Sequence, residues 1–180
     1  MNDFHYNYIK KKHGSKAKLL MTDTDSFMHD IKTEDFFKDI SGAVREKFDT
    51  SNFPQNHPSG ILTGFNKKVL GVFKDECGGE SITEFTGMRA KLYAFSKNGE
   101  ESKRCKGVKK SIVSKSIHLE DYKNCLFAAK EQLQTMNIIR TRKHELFTEQ
   151  VNKVPLSAND DKRIIQPDKI NTLASGYRTG

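Results

Sequence analysis

The residues best equipped to do chemistry are Asp23 and Asp25, separated by Thr24 and followed by Ser26 in the string MTDTDS that begins at Met21. Residues two apart in an extended strand project to the same side, so both carboxylates would converge on one point while Thr24 points away. Paired carboxylates attract a hard cation. Mg2+ takes oxygen ligands and commonly uses one or two carboxylates together with substrate phosphates, so this pattern suits phosphoryl or nucleotidyl transfer. The same four residues also fit a plain solvated acidic turn. An EF-hand is excluded. Asp23, Asp25 and Glu34 fall at its first, third and twelfth positions, but Phe27 and Met28 stand where a ligand and the obligatory glycine belong.

A second group of residues is cationic. Arg89, Lys91 and Tyr93 alternate with Met88, Ala90, Leu92 and Ala94, so one strand through them would present a basic, phenolic face over an apolar one. A charged edge strand kept soluble is the alternative. From Lys103 to Lys115 there are six basic residues and no acidic one, with Lys106, Lys109 and Lys110 at the centre. Crowding that many like charges favours a loop that faces phosphates, or else one that is simply solvated. Lys10, Lys11 and Lys12 read as an exposed helix end. The whole chain carries 31 Lys and Arg against 23 Asp and Glu, a net charge of +8, which favours a polyanionic partner through counterion release.

These residues must be positioned by elements of modest size. The spacing of Phe4, Tyr8 and Ile9 predicts a short amphipathic helix over 2–12, ending at His13-Gly14. Apolar runs on either side of Asp23-Thr24-Asp25-Ser26 predict two strands with the acids at the hairpin tip. Thr33 precedes a helix start at Glu34-Asp35-Phe36-Phe37. Residues 49–66 hold Pro54, Pro58, Gly60 and Gly64 and read as an irregular loop. VLGVFKDE and SITEFTGMRAKLYAFS read as two strands of a second hairpin that turns at Cys77-Gly78-Gly79. Leu119, Tyr122, Leu126, Ala129 and Leu133 predict a helix over 119–133, and NIIRTRKHELFTEQVNKVPLS supplies a further strand pair. The tail beyond Asn159 is polar.

The resulting fold class is α+β, antiparallel hairpins packed with short helices and followed by a small α/β lobe. Cys77, Cys105 and Cys125 form no disulfide framework and no zinc pattern, which points to a reducing compartment. The six histidines show no helical metal spacing and read as surface or packing residues. No apolar run approaches about 18 residues and the N-terminus lacks a signal-peptide core, so a soluble, non-secreted protein with no membrane partner is expected.

TDTDS followed by GMRAKLY resembles the C-terminal palm of family B DNA polymerases, which carries a Y-x-D-T-D-S metal motif and a downstream K-x-Y primer motif. The wider phrasing, FDTSNFPQNHP, NKKVLGVFKDECGGESITEFTGMRAKLYAF, KGVKKSIV and LEDYKNCL, resembles the protein-primed branch of Polinton-type transposons and related viruses. The likeness spans almost the whole chain.

The resemblance implies a palm over 1–114 and a thumb-like lobe over 115–180. Asp25 would ligate Mg2+ (or Mn2+) directly with Asp23 beside it, as catalytic and metal-binding residues. Met21 stands where the family has its tyrosine. Thr24 and Ser26 would border the incoming deoxynucleoside triphosphate. Lys91 and Tyr93, at the K-x-Y positions, would stabilise the primer strand near its growing end; Arg89, Lys106, Lys109 and Lys110 join them as expected primer–template contacts on the strength of their charge. An intracellular setting, nuclear or associated with a virus or transposon, would follow.

Two-metal transfer needs carboxylates from more than one element, and the family's upstream palm acid, fingers lysine and exonuclease motifs are not seen in these 180 residues. The expectation is therefore a C-terminal polymerase portion, inactive alone and completed by an upstream segment or protein. Two other classes stay open: another Asp-x-Asp metal-dependent transferase, such as a nucleotide-sugar enzyme, and a non-catalytic nucleic-acid-binding module.

Overall fold

A computed structural model describes residues 1–158 and 163–174; the rest of the expected polar tail, 159–162 and 175–180, lies outside the described residues. The architecture is α+β, with short helices and mostly antiparallel hairpins. The chain divides into two compact units, Met1–Ala90 with Phe95–Ser102, and Lys91–Ala94 with the chain from Lys103 onward. The expected boundary after residue 114 falls inside a helix of the second unit. No helix among the described residues is long and apolar enough to cross a membrane.

The first unit opens with a π-helical run, Phe4–Lys10, continued by α1 (Lys11–His13) and a 3-10 turn, Gly14–Lys16. Gly14 at φ 57 stops the α-geometry where the sequence places its end. β1 (Ala17–Asp23) and β2 (Ser26–Ile31) form the expected acid-tipped hairpin, with a register shift between Leu19 and Met21. The next helix, α2 (Phe36–Ile40), starts two residues after Thr33 would have it. Asp35 is its cap, accepting hydrogen bonds from the Phe37 and Lys38 amides, while the Thr33 hydroxyl instead donates to Asp39.

A short helix, α3 (Val44–Lys47), leads into β3 (Phe48–Asp49). Ile40, Val44, Phe48, Phe53 and Ile61 make the core here, wrapped by Phe4, Tyr8, Phe36, Phe37, Phe65 and Phe73. Phe4 stacks on Phe73 with ring centroids 3.9 Å apart. The long loop is pinned from within. Asn66, at φ 57, donates from its side chain to the carbonyls of Val44, Arg45 and Phe48, and the buried Asp49 accepts from the Ser51 and Lys68 amides.

The expected second hairpin is corrected. Of VLGVFKDE only β4 (Phe73–Lys74) is a strand, and it pairs in parallel with β3. The Cys77-Gly78-Gly79 turn exists but closes on Asp75, whose carboxylate accepts from the Cys77 and Gly79 amides. The single strand expected over SITEFTGMRAKLYAFS is itself bent at Ala90-Lys91 into β5 (Glu84–Arg89) and β6 (Leu92–Lys97). With β7 (Glu100–Cys105) these form a three-stranded sheet in the order β5-β6-β7.

The second unit continues with α4 (Lys110–Ser116) and α5 (Leu119–Ala128). The latter ends five residues short of Leu133 because Ala129 takes a left-handed conformation, φ 50 and ψ 28. Leu92, Ala94, Val113, Ile117, Leu119, Tyr122 and Cys125 are buried in this unit. The Tyr122 hydroxyl donates to the Arg104 carbonyl, and burial pushes it well above the usual phenol range. β8 (Gln134–Arg142) and β9 (Glu145–Lys153) pair antiparallel in unbroken register, reversing at Lys143 (φ 50) and His144 (φ 67). A last small hairpin joins β10 (Arg163–Ile165) to β11 (Thr172–Ala174).

The histidines include one pair that spacing could not reveal. His5, buried, and His29 share a hydrogen bond of 3.0 Å. Burial, then the charges of His5 and Lys10, hold His29 down at about 4. Its folded pKa therefore lies below the ordinary 6.5, and as pH falls through that window the unfolded chain takes up a proton that the folded chain refuses. Urea midpoints should be flat with respect to this group above pH 6.5 and should drop between 6.5 and 4, with the drop reduced in His29→Gln. Equal slopes in the two proteins would contradict the assignment. Asn66→Ala should cost about 2 kcal/mol, since it strips three carbonyls of a donor and leaves alanine at positive φ. A loss below about 0.5 kcal/mol in denaturant titration would show that the loop is held otherwise.

Candidate functional site

The acidic turn in the first unit is tighter than an extended strand. Asp23 ends β1, opposite Ser26, and Thr24 and Asp25 form the reversal, with Thr24 at φ 57. The two carboxylates are thus not alternate residues of one strand, and the same-side argument gives way to turn geometry. Asp23 is half-buried and Asp25 exposed. The Thr24 hydroxyl donates to Asp23 Oδ1 at 3.2 Å and the Ser26 hydroxyl to the Asp23 carbonyl at 2.9 Å. Thr24 and Ser26, expected at the nucleotide, therefore serve Asp23 in this structure. Their two bonds hold the shape of the turn while Asp25 faces solvent.

A Mg2+ ion that takes one or two carboxylates and fills its remaining positions with water and phosphate fits this donor set. Asp25 offers an exposed carboxylate and Asp23 a second, braced by its neighbours. Among the described residues no group of three or more His, Cys, Asp or Glu side chains gathers to hold an ion. A metal held here would take only part of its coordination shell from the turn. Met21 pairs with Met28 in the hairpin.

The cationic residues divide between the units. Arg89 ends β5 in the first and is exposed; Lys91 and Tyr93 belong to the second. Lys91 is not a strand residue. It occupies the two-residue turn at φ 62, so its side chain leaves from the reversal and does not alternate with Tyr93 along one strand. Only the second half of the expected apolar face is buried: Leu92 and Ala94 are 2% and 0% exposed, whereas Met88 is half-buried, like Tyr93, and Ala90 at the turn is exposed.

Within the second unit the basic loop comes back to this turn. The Lys106 amide donates to the Lys91 carbonyl at 3.0 Å. Lys106 and Gly107 then turn, with Gly107 at φ 87 and the Val108 amide bonded to the Cys105 carbonyl, and Lys109 and Lys110 begin α4. Lys106, Lys109 and Lys110 are all exposed. Lys153, which the sequence did not single out, reaches the same loop: its ammonium donates to the Gly107 carbonyl at 3.1 Å. No local pattern could have found it, because the two residues lie 46 apart.

Comparison with protein-family models, with curated proteins and with solved structures finds no match to this chain.

The left-handed conformation of Lys91 is testable through stability. Lys91→Gly should raise stability by about 0.5 kcal/mol, because glycine meets no Cβ penalty at φ 62, whereas Lys91→Val should lower it by more than about 1 kcal/mol. Thermal midpoints moving in the same direction for both variants would contradict the turn.

Proposed function

We propose that this chain is the C-terminal portion of a DNA-directed DNA polymerase of the family B type. In this reading it contributes one acidic turn to a two-metal centre and one basic surface to the grip on primer–template DNA. The observation that supports the reading is the bond between the Lys106 amide and the Lys91 carbonyl, which brings the KGVKK loop to the turn at Lys91.

Asp25, with Asp23, is the group that would hold Mg2+ (or Mn2+), and the ion when bound would neutralise the triphosphate and polarise its phosphoryl oxygens. The chain's own residues do the rest. Thr24 and Ser26 fix the Asp23 side of the turn. Lys91 and Tyr93 hold the primer strand near its end, Arg89 adds a phosphate contact, and Lys106, Lys109 and Lys110 track the duplex backbone without reading bases. The turn supplies carboxylates from a single element, so catalysis requires a second acidic element and a triphosphate-binding lysine from an upstream segment or protein. Transposon or viral replication in an intracellular setting follows from the resemblance.

A second reading is a non-catalytic nucleic-acid-binding module. It is favoured by one feature: the Lys91–Lys106 surface is built without either aspartate. Fluorescence anisotropy with a labelled primer–template separates the two. The polymerase reading expects salt-dependent binding that weakens in Lys91→Gln and that responds to Mg2+ in the wild-type chain but not in Asp25→Asn. Salt-dependent DNA binding indifferent to Mg2+ and to Asp25→Asn selects the module. Primer extension with all four nucleotides should yield no product from the chain alone; robust incorporation would overturn the requirement for a completing segment.

A further inference from the structure

We propose that Lys153 is the third cation of a phosphate-binding site whose other members are Lys91 and Lys106, and that the site takes one phosphodiester of the DNA backbone. The inference rests on the DNA-binding reading and adds a residue to it. Three parts of the second unit meet here: Lys91 before β6, the loop from β7 to α4, and the last residue of β9. Two hydrogen bonds fix the meeting, Lys106 amide to Lys91 carbonyl at 3.0 Å and Lys153 ammonium to Gly107 carbonyl at 3.1 Å.

The detail at Gly107 explains how an ammonium is admitted. Gly107 has φ 87, a conformation that L side chains rarely adopt, and a Cβ there would stand 3.3 Å from the Lys153 ammonium nitrogen. Glycine therefore supplies both the turn and the clearance. A lysine ammonium has three donors, and the bond to Gly107 uses one of them. The others are available to an anion held beside Lys106. Lys106, Lys109, Lys110 and Lys153 make no ion pair among the described residues. A bound phosphate would neutralise the charge that Lys106 and Lys153 carry without an ion pair. The register of the β8–β9 hairpin places Lys153 opposite Gln134, at the end away from the Lys143-His144 reversal. Lys153 is thus the last of nine paired positions of β9, at the open end of the hairpin.

The test is fluorescence anisotropy of the full chain with a fluorescein-labelled DNA duplex over a series of KCl concentrations. Lys153→Gln should weaken binding about fivefold at low salt and lower the slope of log affinity against log salt by about 0.9. Lys153→Glu should lower it further, and Lys153→Arg should keep the wild-type slope. Lys143→Gln removes the same charge from the far tip of the hairpin and should leave the slope unchanged. A wild-type slope in Lys153→Gln, or an equal loss in Lys143→Gln, overturns the proposal. Absence of salt-dependent binding by the wild-type chain would sink the DNA reading itself, whereas wild-type binding with an indifferent Lys153→Gln sinks only this inference.

Discussion

The hydrogen bond from the Lys106 amide to the Lys91 carbonyl is the constraint on which the basic surface depends. A chain that ran straight through GMRAKLYAF would leave Lys91 in mid-strand, with no reversal for the KGVKK loop to join. The left-handed Lys91 makes the reversal, its carbonyl then receives the loop, and Gly107 allows Lys153 to close over it. Backbone conformation therefore sets where the charges stand. The buried Leu92 and Ala94, with Tyr122 bonded to the Arg104 carbonyl, hold the strands on which this turn is mounted.

The acidic turn is supported by different means. Its strands belong to the aromatic first unit, where Phe27 lies beside Phe4 and Phe73, with ring centroids 6.2 and 6.0 Å away. The aromatic packing thus reaches Phe27, which pairs with Thr22 directly beneath the polar tip. At the tip, Thr24 and Ser26 direct their hydroxyls to Asp23, and Asp25 is left facing water. One braced and one exposed carboxylate make up the donor set on which the proposed Mg2+ contact rests.

Much of this was legible in local patterns and the remainder was not, for physical reasons. The β1–β2 hairpin was readable because apolar runs flank a polar turn, and the β8–β9 pair because its strands are long, although Lys143-His144 carries no glycine or asparagine to announce a reversal. Ala90-Lys91 is equally silent as a turn, and there the strands on both sides read as one. The Asp75 side chain captured the amides that a Cys77-Gly78-Gly79 hairpin would have freed for pairing. Contacts across 24 residues, His5 with His29, or across 46, Lys153 with Gly107, leave no periodic trace. The carboxylate pair was found from residue type, but its geometry came from the positive φ of Thr24, which composition does not encode.

The central claim is that the Lys91 turn and the Lys106-Gly107 loop act as one DNA-contacting surface, and amide NMR during titration with a short duplex tests it most directly. The account predicts that the Lys91, Lys106 and Gly107 amide resonances shift together along one binding isotherm, with a common dissociation constant that rises steeply with salt. Shifts confined to other parts of the chain, or separate isotherms for the turn and the loop, would contradict it.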